Sequence, residues 1–139
     1  MQKLRTVIVE DFSANHVRLK QLLREHCDTI EVIGVAETVD GAVSILSETT
    51  PDLVIMDIEL KDGSGMDVLA AFNPIPWKVI FITGRRKYAH HSFKYQKADF
   101  LLKPVGIDEL VSTVNKVLSG EPNGADQNLN GFSRGLTRQ

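Results

Sequence analysis

A doubly wound α/β sandwich, a five-stranded parallel sheet with five helices, is the fold class this sequence predicts. Three observations lead there. Five short apolar runs recur along the chain: "TVIV" (6–9), "EVIGVA" (31–36), "DLVIMD" (52–57), "KVIFIT" (78–83) and "DFLLK" (99–103). They are rich in Val, Ile and Leu and nearly continuous, as strands buried on both faces of a parallel sheet require. The segments between them carry apolar residues at helical spacing. Strand and helix thus alternate five times, and right-handed crossovers place helices on both faces of the sheet.

The helices follow in order. In the first, Ser13 is the candidate cap, and Phe12, Leu19, Leu22, Leu23 and His26 share one side. The second starts at Thr38 or Asp40 and turns Ala42, Ile45 and Leu46 inward. A third begins near "GSGMDVL", with Val68, Leu69 and Phe72 as core candidates, and "RKYAHHSFKYQ" reads as the fourth. The fifth is the clearest, with Ile107, Leu110, Val111, Val114 and Leu118 at three- and four-residue steps. Residues 1–119 form one domain. From 120 to 139 the chain is polar and Gly-rich and reads as a tail or linker, although Leu129, Phe132 and Leu136 keep a helical spacing.

Composition narrows the function. With 139 residues, 42% hydrophobic and 24% charged, the chain is an ordinary globular domain with enough length for a real core. A net charge of -2 gives no overall footprint for nucleic acid or an anionic membrane. Arg85, Arg86 and Lys87 cluster locally and read as a solvated helix start. The single cysteine, Cys27, permits no intramolecular disulfide and fits a reducing compartment. No signal-peptide pattern opens the chain and no apolar run is long enough for a bilayer, so a cytoplasmic location is expected.

Sites on doubly wound sheets form outside the carboxyl ends of the strands. Here those ends carry Glu10 and Asp11, then Asp57, then Thr83, and finally Lys103 followed by Pro104. Taken singly, each has a plain reading: a helix cap, a strand-end turn, a solvated lysine. Coincidence at four strand ends does not. Three adjacent acids repel one another unless a cation intervenes. A hard divalent ion such as Mg²⁺ removes that repulsion, and Lys103 adds a second positive charge. A carboxylate so placed suits attack on a phosphoryl group, with Thr83 as a hydrogen-bond donor.

"VIVEDFS", "PDLVIMDIELKDGSGMDVL", "VIFITG" and "DFLLKPV" together resemble the receiver domain of two-component response regulators, over about residues 4 to 118. The resemblance implies the flavodoxin-like receiver fold and a phosphoacceptor at Asp57, charged by a histidine kinase or histidine phosphotransfer protein. It implies Mg²⁺ held by Glu10 (largely through water), Asp11, Asp57 and the backbone carbonyl of Glu59. Thr83 and Lys103 would hold the phosphoryl oxygens, and the Lys103–Pro104 bond would be cis. Such a domain catalyses only its own phosphorylation and dephosphorylation, and is not an enzyme with an independent substrate. Its switch would pair Thr83 with Phe100, and Phe100, having no hydroxyl, should favour burial. The fourth helix, fifth strand and fifth helix would form the output or homodimer face, with Tyr88, Phe93 and Tyr95 as its aromatics. "YAHHSFKYQKADFLLKPV" is similar to receivers joined to LytTR-type DNA-binding domains, so the chain is a receiver cut from such a regulator or a single-domain one.

Beyond the family, Glu59 and Arg85 stand two residues after Asp57 and Thr83. Opposite charges there can pair across the pocket mouth and tune the lifetime of the phosphorylated form. His90 and His91 are adjacent, point about a hundred degrees apart on a helix, and read as surface residues rather than a chelate. Among rivals, a haloacid-dehalogenase-like phosphohydrolase wants Asp where Glu59 stands. A flavodoxin-type carrier would need a phosphate-cradling first loop, which Glu10 and Asp11 would repel. A pseudo-receiver acting only as a binding module has no use for the intact acid, Thr and Lys set.

Overall fold

The computed structural model describes residues 3–85 and 98–120. Its strands are β1 (Leu4–Val9), β2 (Ile30–Ala36), β3 (Leu53–Asp57), β4 (Glu59–Leu60), β5 (Gly63–Ser64), β6 (Lys78–Thr83) and β7 (Ala98–Leu102). The helices among the described residues are α1 (Ser13–His26), α2 (Val39–Thr49), α3 (Gly65–Ala70) and α4 (Ile107–Ser119). The expected helix over "RKYAHHSFKYQ", with Arg86, Lys87, Tyr88, His90, His91, Phe93 and Tyr95, lies outside the described residues, as does the tail from 121.

Five strands pair in parallel in the order β2-β1-β3-β6-β7, and β4 and β5 form a separate antiparallel hairpin. Alternation along the strands splits the core in two. Val7, Val9, Val54, Met56, Val79 and Phe81 face Ala42 and Leu46 of α2 and Val68 and Leu69 of α3. Ile8, Leu53, Ile55, Ile80 and Ile82 face Leu19 and Leu23 of α1 and Leu110, Val114 and Val117 of α4. The central strands are thus covered on both sides. The order also makes β1 and β3 neighbours at the centre, with chain crossovers leaving in opposite directions, so the crevice lies at their carboxyl ends.

Several sequence expectations need correction. β2 and β7 are edge strands and only half-buried, because each has a strand neighbour on one side alone. α1 has Phe12, not Ser13, at its N-cap, with no side-chain cap bond, and Phe12 is 63% exposed. In α4 the buried stripe is Leu110, Thr113, Val114 and Val117, so Ile107 and Leu118 point outward and Val117 fills the place expected for Leu118. The stripe at 110, 114 and 117 follows the helical period from the middle of the helix, and both ends of the predicted row fall off it. Trp77, in the loop before β6, is an unforeseen core member, edge-on to Phe72 with ring centroids 5.3 Å apart. α4 stops at Gly120, whose φ of 74° is left-handed and favours glycine. Among the described residues no helix is long and apolar enough to cross a membrane.

Candidate functional site

Parallel strands bring their carboxyl ends to one edge, and the register here aligns them closely. Val9 pairs with Met56, Asp57 with Ile82, and Thr83 with Leu102. Glu10, Asp57, Thr83 and Lys103 therefore arrive together, as the sequence predicts. The Lys103 ammonium lies 2.6 Å from Asp57 Oδ2 and 2.7 Å from Glu10 Oε1. Both carboxylates are buried, while Lys103 keeps a path to solvent. The Lys103–Pro104 peptide bond is cis.

Backbone donors fix the remaining oxygens. Phe12 N–H donates to Glu10 Oε2 at 3.0 Å and Glu59 N–H donates to Asp57 Oδ1 at 3.0 Å. Thr83 is fully buried, and its Oγ1 accepts from Arg85 N–H at 3.1 Å. Lys103 N–H donates to the Thr83 carbonyl at 2.8 Å, which ties β7 to β6 just before the lysine. Arg85 Nε stands 3.2 Å from Glu59 Oε2, both side chains well exposed.

The charges at this edge are unequal in their comfort. Burial alone would raise the Glu10 carboxyl, but bonds from Lys103 and Phe12 N–H outweigh it and hold the group below its ordinary value. Asp57 is raised by burial, which Lys103 and Glu59 N–H offset only in part. Asp11 is raised by burial and then by the neighbouring Glu10. Lys103 loses from burial but gains more from Asp57 and Glu10, so its ammonium is raised. Glu10 and Asp57 thus share one cation at contact distance, while for Asp11 the attraction of Lys103 offsets the neighbouring acid only in part.

Glu10, Asp11 and Asp57 each offer a carboxylate oxygen within 4.8 Å of the others. An all-oxygen donor set with excess negative charge suits a hard divalent cation, so these residues could bind a metal. Beside Lys103 a cleft of about 380 Å³ opens between α1 and the turn after β7, lined among others by Asn15, Arg18, Leu19 and Val105. Phe100 of β7 is half-buried against the core rather than enclosed.

The model of the response regulator receiver domain matches residues 6–115. The chain belongs to this family. Curated relatives of the receiver include the sensory transduction protein LytT of Bacillus cereus, 31% identical over 115 residues, covering 81% of this chain and 46% of that protein. The sensory transduction protein LytR of Staphylococcus haemolyticus is 33% identical over 116 residues, covering 82% and 45%. The chain spans about half the length of the curated relatives it matches. Similar solved structures include a LuxR-family DNA-binding response regulator from Staphylococcus aureus, with TM-score 0.72 and 31% identity over 82% of this chain and 98% of that one. The response regulatory domain of mrkE from Klebsiella pneumoniae, at 20% identity and TM-score 0.76, shares the fold over 84% of this receiver and 97% of its own chain.

Sequence reasoning missed the scaffold around Asp57. The β4–β5 hairpin, the Ser64–Asp67 capping box on α3 and the close approach of Gly65 all sit directly after it. A Cβ on Gly65 would lie 2.8 Å from the Asp57 carbonyl oxygen, so only glycine allows this packing. "SGMD" was the available signal, since Ser followed three residues later by an acid marks a capped helix start.

Proposed function

We propose that this receiver accepts a phosphoryl group on Asp57 from a phosphohistidine of a sensor kinase or phosphotransfer protein. A carboxylate oxygen of Asp57 attacks phosphorus, the P–N bond to the donor imidazole breaks, and an aspartyl phosphate forms. The freed imidazole keeps the electron pair of that bond and takes a proton from water. Lys103 exchanges its bond to Asp57 for one to a phosphoryl oxygen, and the Thr83 hydroxyl turns from accepting to donating. Glu10, Asp11, Asp57 and the Glu59 carbonyl would hold Mg²⁺, Glu10 largely through water. When bound, that ion neutralises charge developing on the phosphoryl oxygens.

The observation that carries this reading is Asp57 itself: buried, with one oxygen on Lys103 at 2.6 Å and the other on Glu59 N–H at 3.0 Å, beside two further acids. A purely structural aspartate would gain nothing from two acidic neighbours. Phosphorylation would draw Thr83 toward the phosphoryl group while Phe100 turns inward, and so alter the surface of β7 and α4. Because it turns over only its own phosphoryl group, the domain acts as a switch in the cytoplasm. Its matched length, about half of LytT and LytR, favours a second reading in which it serves as the receiver part of such a regulator.

Intact mass after incubation with acetyl phosphate and Mg²⁺ tests the first reading. One phosphoryl adduct is expected, dependent on Mg²⁺ and absent from Asp57→Ala. A folded wild-type protein that stays unmodified by acetyl phosphate and by phosphohistidine donors would leave a binding module instead.

A further inference from the structure

The β4–β5 hairpin has two residue pairs, Glu59 with Ser64 and Leu60 with Gly63. A ladder so short is not stable alone. It is pinned at its base, where Gly65 N–H donates to the Ile58 carbonyl at 2.8 Å and the Ser64–Asp67 capping box starts α3. Leu60 is buried in the core. At its tip a second anchor reaches a distant element: Val39 N–H, the first amide of α2, donates to Asp62 Oδ1 at 2.8 Å.

That bond makes Asp62 the cap of a helix 23 residues earlier in the chain. Thr38 caps the same helix through Gly41 N–H and leaves the Val39 amide for Asp62. A carboxylate at a helix N-terminus also meets the positive end of the helix dipole. Gly63 reinforces the seat: at φ 157°, a Cβ there would stand 3.1 Å from Val39 Cγ2 and 2.6 Å from Asp67 Oδ2. Two consecutive residues of the hairpin thus rest on the same residue of α2.

Resting on the metal site proposed above, we infer that Asp62 is a positioning residue: by capping α2 it anchors the hairpin and so fixes the Glu59 carbonyl. Without the tip anchor the hairpin hinges on its base, and the Glu59 carbonyl samples orientations unsuited to a cation. Metal affinity then falls, while chemistry at saturating metal does not.

The test is a Mn²⁺ titration of the full 139-residue chain, followed by the electron paramagnetic resonance of free Mn²⁺, with no phosphodonor present. Asp62→Ala should weaken binding about 3- to 10-fold, below the effect typical of a group bonded directly to a ligand. Its phosphorylation rate at saturating Mg²⁺ should match wild type. Asp62→Asn, whose amide oxygen can still accept from Val39, should restore binding to within about twofold. Asp52→Ala is the structural control: Asp52 Oδ2 also accepts a remote backbone amide, from Arg5 at 2.8 Å, but at the amino ends of the strands. It should leave Mn²⁺ affinity unchanged. Wild-type affinity in Asp62→Ala, an equal loss in Asp52→Ala, or no recovery in Asp62→Asn would each overturn the inference. Wild-type protein without a Mn²⁺ site that Asp57→Ala abolishes would remove the metal reading and this role together. Binding lost in Asp57→Ala but intact in Asp62→Ala would remove the role alone.

Discussion

Asp11→Asn should make the metal-free protein more stable, the reverse of what most substitutions at a built site do. Its carboxylate offers an oxygen no more than 4.8 Å from those of Glu10 and Asp57. At that distance two unit charges repel by about 0.9 kcal/mol in a water-like dielectric and about 3.5 kcal/mol at an effective constant of about 20. Asp11 is only partly covered, so the lower figure governs, and attraction to Lys103 cancels part of it. The net gain from removing the charge is about 0.5–1 kcal/mol, or roughly 2–5 °C in Tm for a domain of this size. Thermal unfolding in EDTA at pH 7 measures it. The sign with pH follows from the raised carboxyl: ionising Asp11 costs more in the fold than in the unfolded chain. The advantage of Asn is therefore full above the folded-state pKa and shrinks as pH falls toward the ordinary value of 3.8. In Mg²⁺ the order should reverse, because the wild type gains more from a bound ion. A variant no more stable than wild type in EDTA at pH 7 would refute the charge reasoning.

The other substitutions probe the same edge. Lys103→Ala strands Glu10 and Asp57 without their shared cation and should cost about 3–5 kcal/mol in denaturant unfolding, partly recovered by Mg²⁺. In the wild type the lysine's contribution persists until pH climbs beyond the ordinary 10.5, while that of Glu10 is lost as pH falls through a value below 4.5. Glu59→Ala and Arg85→Ala break the 3.2 Å pair formed two residues beyond Asp57 and Thr83 and should change the dephosphorylation rate several-fold. An exposed pair is worth only about 0–1 kcal/mol, so unchanged decay in both variants would exclude it as a gate for water.

Why some of this was legible in the sequence and some was not has a physical basis. Buried parallel strands write themselves as apolar runs, and the residue ending each run must stand at the sheet's edge. That rule places Glu10, Asp57, Thr83 and Lys103 without any coordinates. Period alone does not tell an edge strand from a central one, which is why β2 and β7 proved half-exposed. Nor does it say where a helix stripe leaves the core, as Ile107 and Leu118 show. Phe12 misled for a different reason: it stands at the extended N-cap, outside the helical period of α1, and its ring is 63% exposed. The hairpin after Asp57 depends on contacts 23 residues apart, such as Asp62 with Val39, which no local pattern encodes.

The most direct test of the phosphoacceptor assignment is borohydride trapping followed by peptide mass mapping. Reduction converts an aspartyl phosphate to homoserine and so marks the residue that carried the phosphoryl group. Homoserine at position 57, formed only with donor and Mg²⁺, is the expected result. Homoserine in place of Asp11, or a phosphoryl adduct stable to borohydride on a histidine, would contradict the role given to Asp57.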